Sequence, residues 1–338
     1  MQFSNFLKEN KAVLVLPKSI VTQIYLSFFL LLSLSYNPAF ADDDYVIEAH
    51  FCFGNTKRVL IEGRVIESRS RGKPVSISDN ILENTWEKLK QFFNDEAEKY
   101  PVYLVLPNGL YNTKTDDEGY FQFEIDLPKP LEPKYYRAKL NLKNFVSEKE
   151  CQLLILPDDK GIGIISDFDD TVIVTDVINK AQAVKNTLFK NYKQRQVVQG
   201  MSHSYKGILS KNDYPSLSTL FFVTGSPRQL STSIHNFLNY HHFPDRVLIG
   251  KKLNGENSDP FLDQLSYKTK RISMIFELYP KMQFILVGDD GEKDPEIYNI
   301  VQKTFPDQVL SIWIRKVSTN PNKKTYPNVH YFQKNPKL

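Results

Sequence analysis

Two periodicities divide the chain. Over residues 45–155 apolar positions recur every second residue, the mark of half-buried strands. Residues 59–66, 102–106, 120–125 and 136–142 read as strands, the last two alternating, with Gly63 interrupting the first and Pro107-Asn108-Gly109 ending the second. Asp116-Asp117-Glu118-Gly119 is a turn signal ahead of the third. Within 81–97, Leu82, Trp86, Leu89 and Phe93 stand at helical spacing, so the region reads as a small β-sandwich with one helical insertion.

Beyond Pro157-Asp158-Asp159-Lys160-Gly161, a linker, the pattern changes. Strands are expected at 162–166, 219–223, 247–249, 284–287 and 309–314, and helices near 175–192, 228–239, 266–279 and 294–304. Another helix begins at Gly200-Met201. That alternation predicts an α/β fold, a doubly wound parallel sheet. After Val317 the chain turns polar and rich in Pro, Asn and Lys, a loosely held tail.

The first 41 residues stand apart. Lys8, Lys11 and Lys18 precede an apolar stretch at 20–36, then Pro38-Ala39-Phe40-Ala41 and Asp42-Asp43-Asp44, a basic, apolar, small-residue order of secretory type. Thr22, Gln23 and several serines make the apolar stretch short for a membrane span, which favours cleavage over an uncleaved anchor. The expected layout is a signal peptide at 1–41, a sandwich at 42–156, an α/β domain at 160–320 and a tail at 321–338. The protein is then exported, periplasmic or secreted, with membrane association left open. Export bears on Cys52 and Cys151, the two cysteines. One disulfide, worth about 4 kcal/mol in the entropic account, and two buried thiols are equal readings. Two cysteines so far apart are not a zinc site.

Composition adds little. At 338 residues, 41% hydrophobic and 24% charged, the chain is long enough for two globular domains. Aromatic residues at 13% suit β structure. A net charge of +4 without a long basic run argues against nucleic acid as a partner.

The chemistry gathers where predicted strands end. The strand at 162–166 runs into Asp167-Phe168-Asp169-Asp170-Thr171-Val172. Carboxylates crowded at a strand's carboxyl end repel one another and lose solvation, which a fold tolerates mainly around a cation. Open α/β sheets bind ligands at that edge. A second apolar strand ends in Gly288-Asp289-Asp290-Gly291-Glu292-Lys293-Asp294-Pro295, where Asp289 with Asp290 or Asp294 can complete a hard-oxygen site. Between them lies Val223-Thr224-Gly225-Ser226-Pro227, whose hydroxyl and free N–H groups can hold phosphoryl oxygens. Lys268 stands near the start of a predicted helix, with Lys270 and Arg271 as competitors for the role of fixed cation.

Asp-x-Asp-x-Thr after an apolar strand resembles the first motif of the haloacid dehalogenase (HAD) phosphohydrolases, and the other clusters follow in that superfamily's order. The longer runs at 166–172, 223–230, 284–298 and 312–317 resemble the actin-patch-associated phosphatidate phosphatases, a lipin-related family, over about residues 160–317. The resemblance implies a HAD-like sheet with little or no cap, preceded by a transthyretin-like sandwich. It implies Mg²⁺-dependent hydrolysis of phosphatidate to diacylglycerol and phosphate at a membrane surface. Asp167 would be the nucleophile, Asp169 the general acid/base, and Thr224 and Lys268 the phosphate holders. The metal would sit on Asp167, the Asp169 main-chain carbonyl, and Asp289 with Asp290 or Asp294. Four positions depart from the family pattern: Phe168 replaces Ile, Thr224 replaces Ser, Arg228 replaces Trp, and Asp290 replaces Ser. The first should matter little and Thr can do the work of Ser; the third suggests a more anionic substrate, and the fourth a changed metal preference. The alternatives are an exported phosphatase of other phosphomonoesters and a non-catalytic phospholipid-binding module.

Overall fold

A computed structural model describes residues 45–67, 97–142, 148–174, 192–252, 263–334 and 336. All belong to the second of two compact units, Asp43–Leu338. The expected leader, most of the helical insertion and the helix expected at 175–192, save its last residue, lie outside the described residues.

The first seven strands are β1 (Tyr45–Asn55), β2 (Arg58–Glu67), β3 (Pro101–Leu106), β4 (Gly109–Lys114), β5 (Tyr120–Asp126), β6 (Lys134–Leu142) and β7 (Glu148–Leu156). They form one sheet in the order β4-β3-β6-β7-β1-β2-β5, antiparallel except where β1 meets β7. Its turns follow from short polar side chains. Asn55 Oδ1 accepts from the amides of Lys57 and Arg58 at 2.8 Å each, closing the β1–β2 hairpin. Asp116 Oδ1 accepts from Glu118 and Tyr120 N–H, and Gly119 supplies the positive φ of 72° before β5.

The sandwich reading expects two facing sheets. Instead a single sheet curls until its edge strands β4 and β5 approach, enclosing Val59, Ile61, Val65, Leu104, Phe121, Leu140 and Leu153. A register shift between Ala49 and Phe51 flips the parity of β1. Ile47 and Cys52 therefore face this inner core, while Phe51 and Phe53 face outward. Cys52 and Cys151 are joined as a disulfide, their Cα atoms 6.4 Å apart.

The outward residues Phe51, Phe53, Leu60, Leu154 and Leu156 are not solvated. They share one core with Phe221, Ile249 and Phe284 of a second sheet. That sheet contains β8 (Ile162–Ser166), β11 (Leu220–Pro227), β12 (Val247–Lys251), β13 (Gln283–Asp289), β14 (Val309–Arg315) and β15 (Val329–Phe332). Between β8 and β11, β9 (Ile173–Val174) and β10 (Gln196–Val197) form a small antiparallel ribbon. Every pairing in the second sheet is parallel.

Helices α1 (Met201–Leu209) and α2 (Ser231–Tyr240) bury Tyr205, Ile208, Ile234 and Phe237 against one face. On the other, α3 (Gln264–Leu278) and α4 (Asp294–Thr304) bury Ile272, Phe276, Ile297 and Val301. The fold class is thus α/β, with helices on both faces of a parallel sheet. The expected tail after Val317 instead supplies β15, an edge strand paired with β14 through Ile312↔Val329 and the three pairs that follow.

The strand order β12-β11-β8-β13-β14-β15 reads outward in both directions from β8. Chain order reverses there, which opens a crevice beyond the carboxyl ends of β8 and β13. The aspartate-rich turns lie at that crevice.

Candidate active site

Asp167 follows β8 and donates its backbone N–H to Val287 O at 2.9 Å, which ties it to β13. Phe168 is buried between Phe222 and Phe237, with ring centroids 6.3 and 5.5 Å away. This apolar anchor fixes the turn carrying Asp167 and Asp169. The turn closes where Val172 and Ile173 N–H both reach Phe168 O, and Asp170 takes a left-handed φ of 54° that aspartate tolerates better than most residues.

Lys268 settles the choice among the three basic residues of α3. Lys270 is exposed, and Arg271 lies over the Tyr267 ring. Lys268 is 1% exposed, with Nζ 2.9 Å from Asp167 Oδ1 and 2.7 Å from Asp294 Oδ1. Asp263 caps the helix by accepting from Ser266 N–H at 2.9 Å.

Asp289 ends β13; its Oδ1 accepts from Gly291 N–H at 2.7 Å and its Oδ2 from Thr171 Oγ1 at 3.3 Å. Asp294 opens α4 just before Pro295, and its Oδ2 accepts from Asp289 N–H at 3.2 Å. Only glycine fits at 288: a Cβ there would stand 2.5 Å from Asp294 Oδ2.

One carboxylate oxygen each from Asp167, Asp289 and Asp294 lies within 4.8 Å of the others. With Lys268 the four groups carry a formal charge of −3 + 1 = −2. Burial raises the pKa of Asp167 well above the usual carboxylate range, and Lys268 opposes it. Burial likewise raises Asp289, joined by repulsion from Asp294, and raises Asp294 itself. Burial works to lower Lys268, but Asp167 and Asp294 outweigh it and hold the ammonium well above its ordinary value. Three hard oxygen donors carrying uncompensated charge in a buried cleft fit a divalent cation.

Asp290 is turned elsewhere. Its Oδ1 accepts from Val317 and Ser318 N–H at 2.6 and 2.7 Å, holding the chain after β14. Asp169 also stands outside the trio. Its Oδ2 accepts from Ser226 Oγ at 2.6 Å and Thr224 Oγ1 at 3.2 Å. Burial raises its pKa, and the Ser226 hydrogen bond opposes the rise.

Three features escaped the reading of the sequence. Ser226 stands there only as part of a run that can hold phosphoryl oxygens, yet its Oγ makes the shortest contact to Asp169. Arg195 is buried, and the Asp169 charge resists the lowering of its pKa to about 10 by burial; nothing in its neighbourhood of sequence announces it. Arg228 does not offer its charge to a substrate. It is 4% exposed and paired with Glu62 at 3.0 Å.

These observations define a class: an α/β protein whose parallel sheet presents buried carboxylates and one buried ammonium at its topological switch point, an arrangement competent to hold a metal ion. The comparisons narrow it. Residues 162–316 match the family model described as "Phosphatidate phosphatase APP1, catalytic domain", and over that span the chain is APP1-like. It is 31% identical over 160 residues to phosphatidate phosphatase APP1 of Saccharomyces cerevisiae, 47% of this chain and 27% of that protein. It is 27% identical over 257 residues to the uncharacterized protein C29B5.04c of Schizosaccharomyces pombe, 70% of this chain and 41% of that one. The chain thus spans less than half of either relative. Among solved structures, a carbohydrate acetylesterase from Xanthomonas citri matches 78% of this chain and 65% of its own at 10% identity; its TM-score of 0.25 carries no argument.

Proposed function

We propose that this chain is an exported, Mg²⁺-dependent phosphomonoesterase that acts through an aspartyl-phosphate, with phosphatidate as its substrate. The observation that carries the reading is the Asp167–Lys268–Asp294 arrangement, in which a buried ammonium joins a candidate nucleophile to a candidate metal ligand. Lys268 orients Asp167 through Oδ1 and offers positive charge to the equatorial oxygens of a phosphoryl group. Asp167 attacks phosphorus in line and forms the aspartyl-phosphate. Asp169, whose pKa burial raises, holds a proton for the departing alkoxide and then takes one from the hydrolytic water. Thr224 and Ser226 hold the Asp169 carboxylate in place. Asp167, Asp289 and Asp294, with the Asp169 carbonyl, would hold Mg²⁺, which supplies charge that lets a carboxylate approach an anionic phosphate.

Phosphatidate is the favoured substrate for two reasons. The family that 162–316 matches is named for it. The stretches between the chemical motifs are also too short for a large cap, which suits a headgroup presented at a lipid surface. Phosphate release from phosphatidate in mixed micelles, run beside soluble phosphomonoesters with Mg²⁺ and with EDTA, tests the proposal. Turnover of phosphatidate that EDTA abolishes is expected; turnover of soluble esters alone would remove the lipid from the account.

A further inference from the structure

The two sheets meet through charge as well as through apolar packing. Glu62 lies on β2, and its Oε2 stands 3.0 Å from Arg228 Nη2; both side chains are under 5% exposed. Arg228 Nε also donates to Gly250 O at 3.2 Å, at the end of β12. Its guanidinium lies 5.4 Å from the centre of the Tyr120 ring, a residue of β5. Lys252 lies over the same ring at 5.3 Å and pairs with Asp116 of the β4–β5 turn. The N-terminal sheet thus grips the chain after β11 and β12 by two ion pairs around one aromatic ring.

A buried ion pair adds little net stability over apolar side chains of equal volume, because desolvation offsets the attraction. Its geometry is its consequence here. Arg228 opens a 3-10 turn directly after Ser226-Pro227. Pro227, at φ −58°, leaves the link between the two residues stiff. Gly250 packs so closely that a Cβ would come 3.2 Å from both Arg228 Cα and Ser226 O. Where Arg228 is held, Ser226 is held, and Ser226 Oγ is 2.6 Å from Asp169 Oδ2.

We infer that Glu62 of the N-terminal sheet is a positioning residue for the catalytic loop: through Arg228 it sets Ser226, and through Ser226 the Asp169 carboxylate. The N-terminal sheet is then a working part of the site rather than an appended module. The kinetic half of this inference rests on the phosphatase reading; the mechanical half does not.

Glu62→Gln in the full chain tests it. Displacing a catalytic group by about 1 Å costs on the order of 100-fold in rate. The expected result, corrected for the folded fraction, is a kcat lowered about 10- to 100-fold with KM within about twofold. Amide hydrogen exchange should quicken over residues 224–230 and stay unchanged over 162–166. Because Glu62→Gln removes the carboxylate opposite a buried cation and lowers stability, the pair Glu62→Leu/Arg228→Leu serves as the second variant. It should recover the thermal midpoint without recovering kcat. Recovery of kcat along with the midpoint, or unchanged exchange at 224–230 in Glu62→Gln, would overturn the inference. If the wild type releases no phosphate the functional reading fails, and the exchange comparison still decides whether Glu62 holds the loop.

Discussion

Replacing Lys268 by Met removes the ammonium and keeps most of the side chain's volume. The carboxylates around it then change from a formal −2 to −3 in a site where Lys268, Asp167 and Asp294 are all at most 3% exposed. At contact distances of 2.9 and 2.7 Å each lost attraction is worth about 6 kcal/mol at an effective dielectric of about 20, against which the desolvation of the ammonium is recovered. Breaking a buried pair by removing one partner typically leaves a net cost of about 3–5 kcal/mol. Urea unfolding of Lys268→Met in EDTA should show a loss of that size, and Mg²⁺ should recover part of it by supplying the missing charge. On the proposed mechanism the same variant also lacks the charge offered to the phosphoryl oxygens, for which a fall of about 100- to 1,000-fold in kcat is expected. Stability in EDTA within about 0.5 kcal/mol of wild type would refute this reading of the site, because a buried charge would then have vanished without effect.

Further consequences are as direct. Gly288→Ala should weaken Mg²⁺ binding, measured by calorimetry, because its Cβ would take the space of the Asp294 carboxylate; unaltered affinity would remove Asp294 from the metal set. The buried aspartates of the metal-free cluster bind protons more tightly folded than unfolded, since burial raises their pKa above 3.8. The stability those protons contribute is complete below that value and is lost as pH rises through the raised ones. The gap between urea midpoints in Mg²⁺ and in EDTA should therefore widen as pH rises from about 4; a gap that narrows would contradict the electrostatics. Reducing the Cys52–Cys151 bridge, which spans 99 positions, should cost about 4 kcal/mol in urea unfolding. Two reactive thiols in unfolded, unreduced protein would show that no bridge forms.

Much of the α/β half was legible because its signals are local. The strand at Ile162–Ser166 and the helix at Asp294–Thr304 lie where periodicity and Pro295 put them. Asp167 and Asp289 converge because the ends of β8 and β13 are neighbours at one edge of a parallel sheet, a rule of topology that a sequence can invoke, and α3 and α4 bring Lys268 and Asp294 to the same edge. What was not legible is long-range. Whether Asp290 or Asp294 faces the cluster depends on Val317 and Ser318 taking up Asp290 from the far side. Arg228 looked like a substrate contact because its partner, Glu62, lies far away in sequence on another sheet. The polar tail concealed β15, since four residues are too short a run to show a period, and both faces of the strand are partly covered, by Val329 and Tyr331 on one core and Phe332 on the other. The single curled sheet depends on the approach of β4 and β5, which no local pattern encodes.

The most direct test compares wild type with Asp167→Asn for phosphate release from phosphatidate in mixed micelles containing Mg²⁺. The substitution keeps the side chain's shape and removes its nucleophilic charge. Turnover by wild type that disappears in Asp167→Asn, with the thermal midpoint retained, is the predicted result. Equal turnover by the two proteins would contradict the account, for phosphorus would then be attacked by some group other than Asp167.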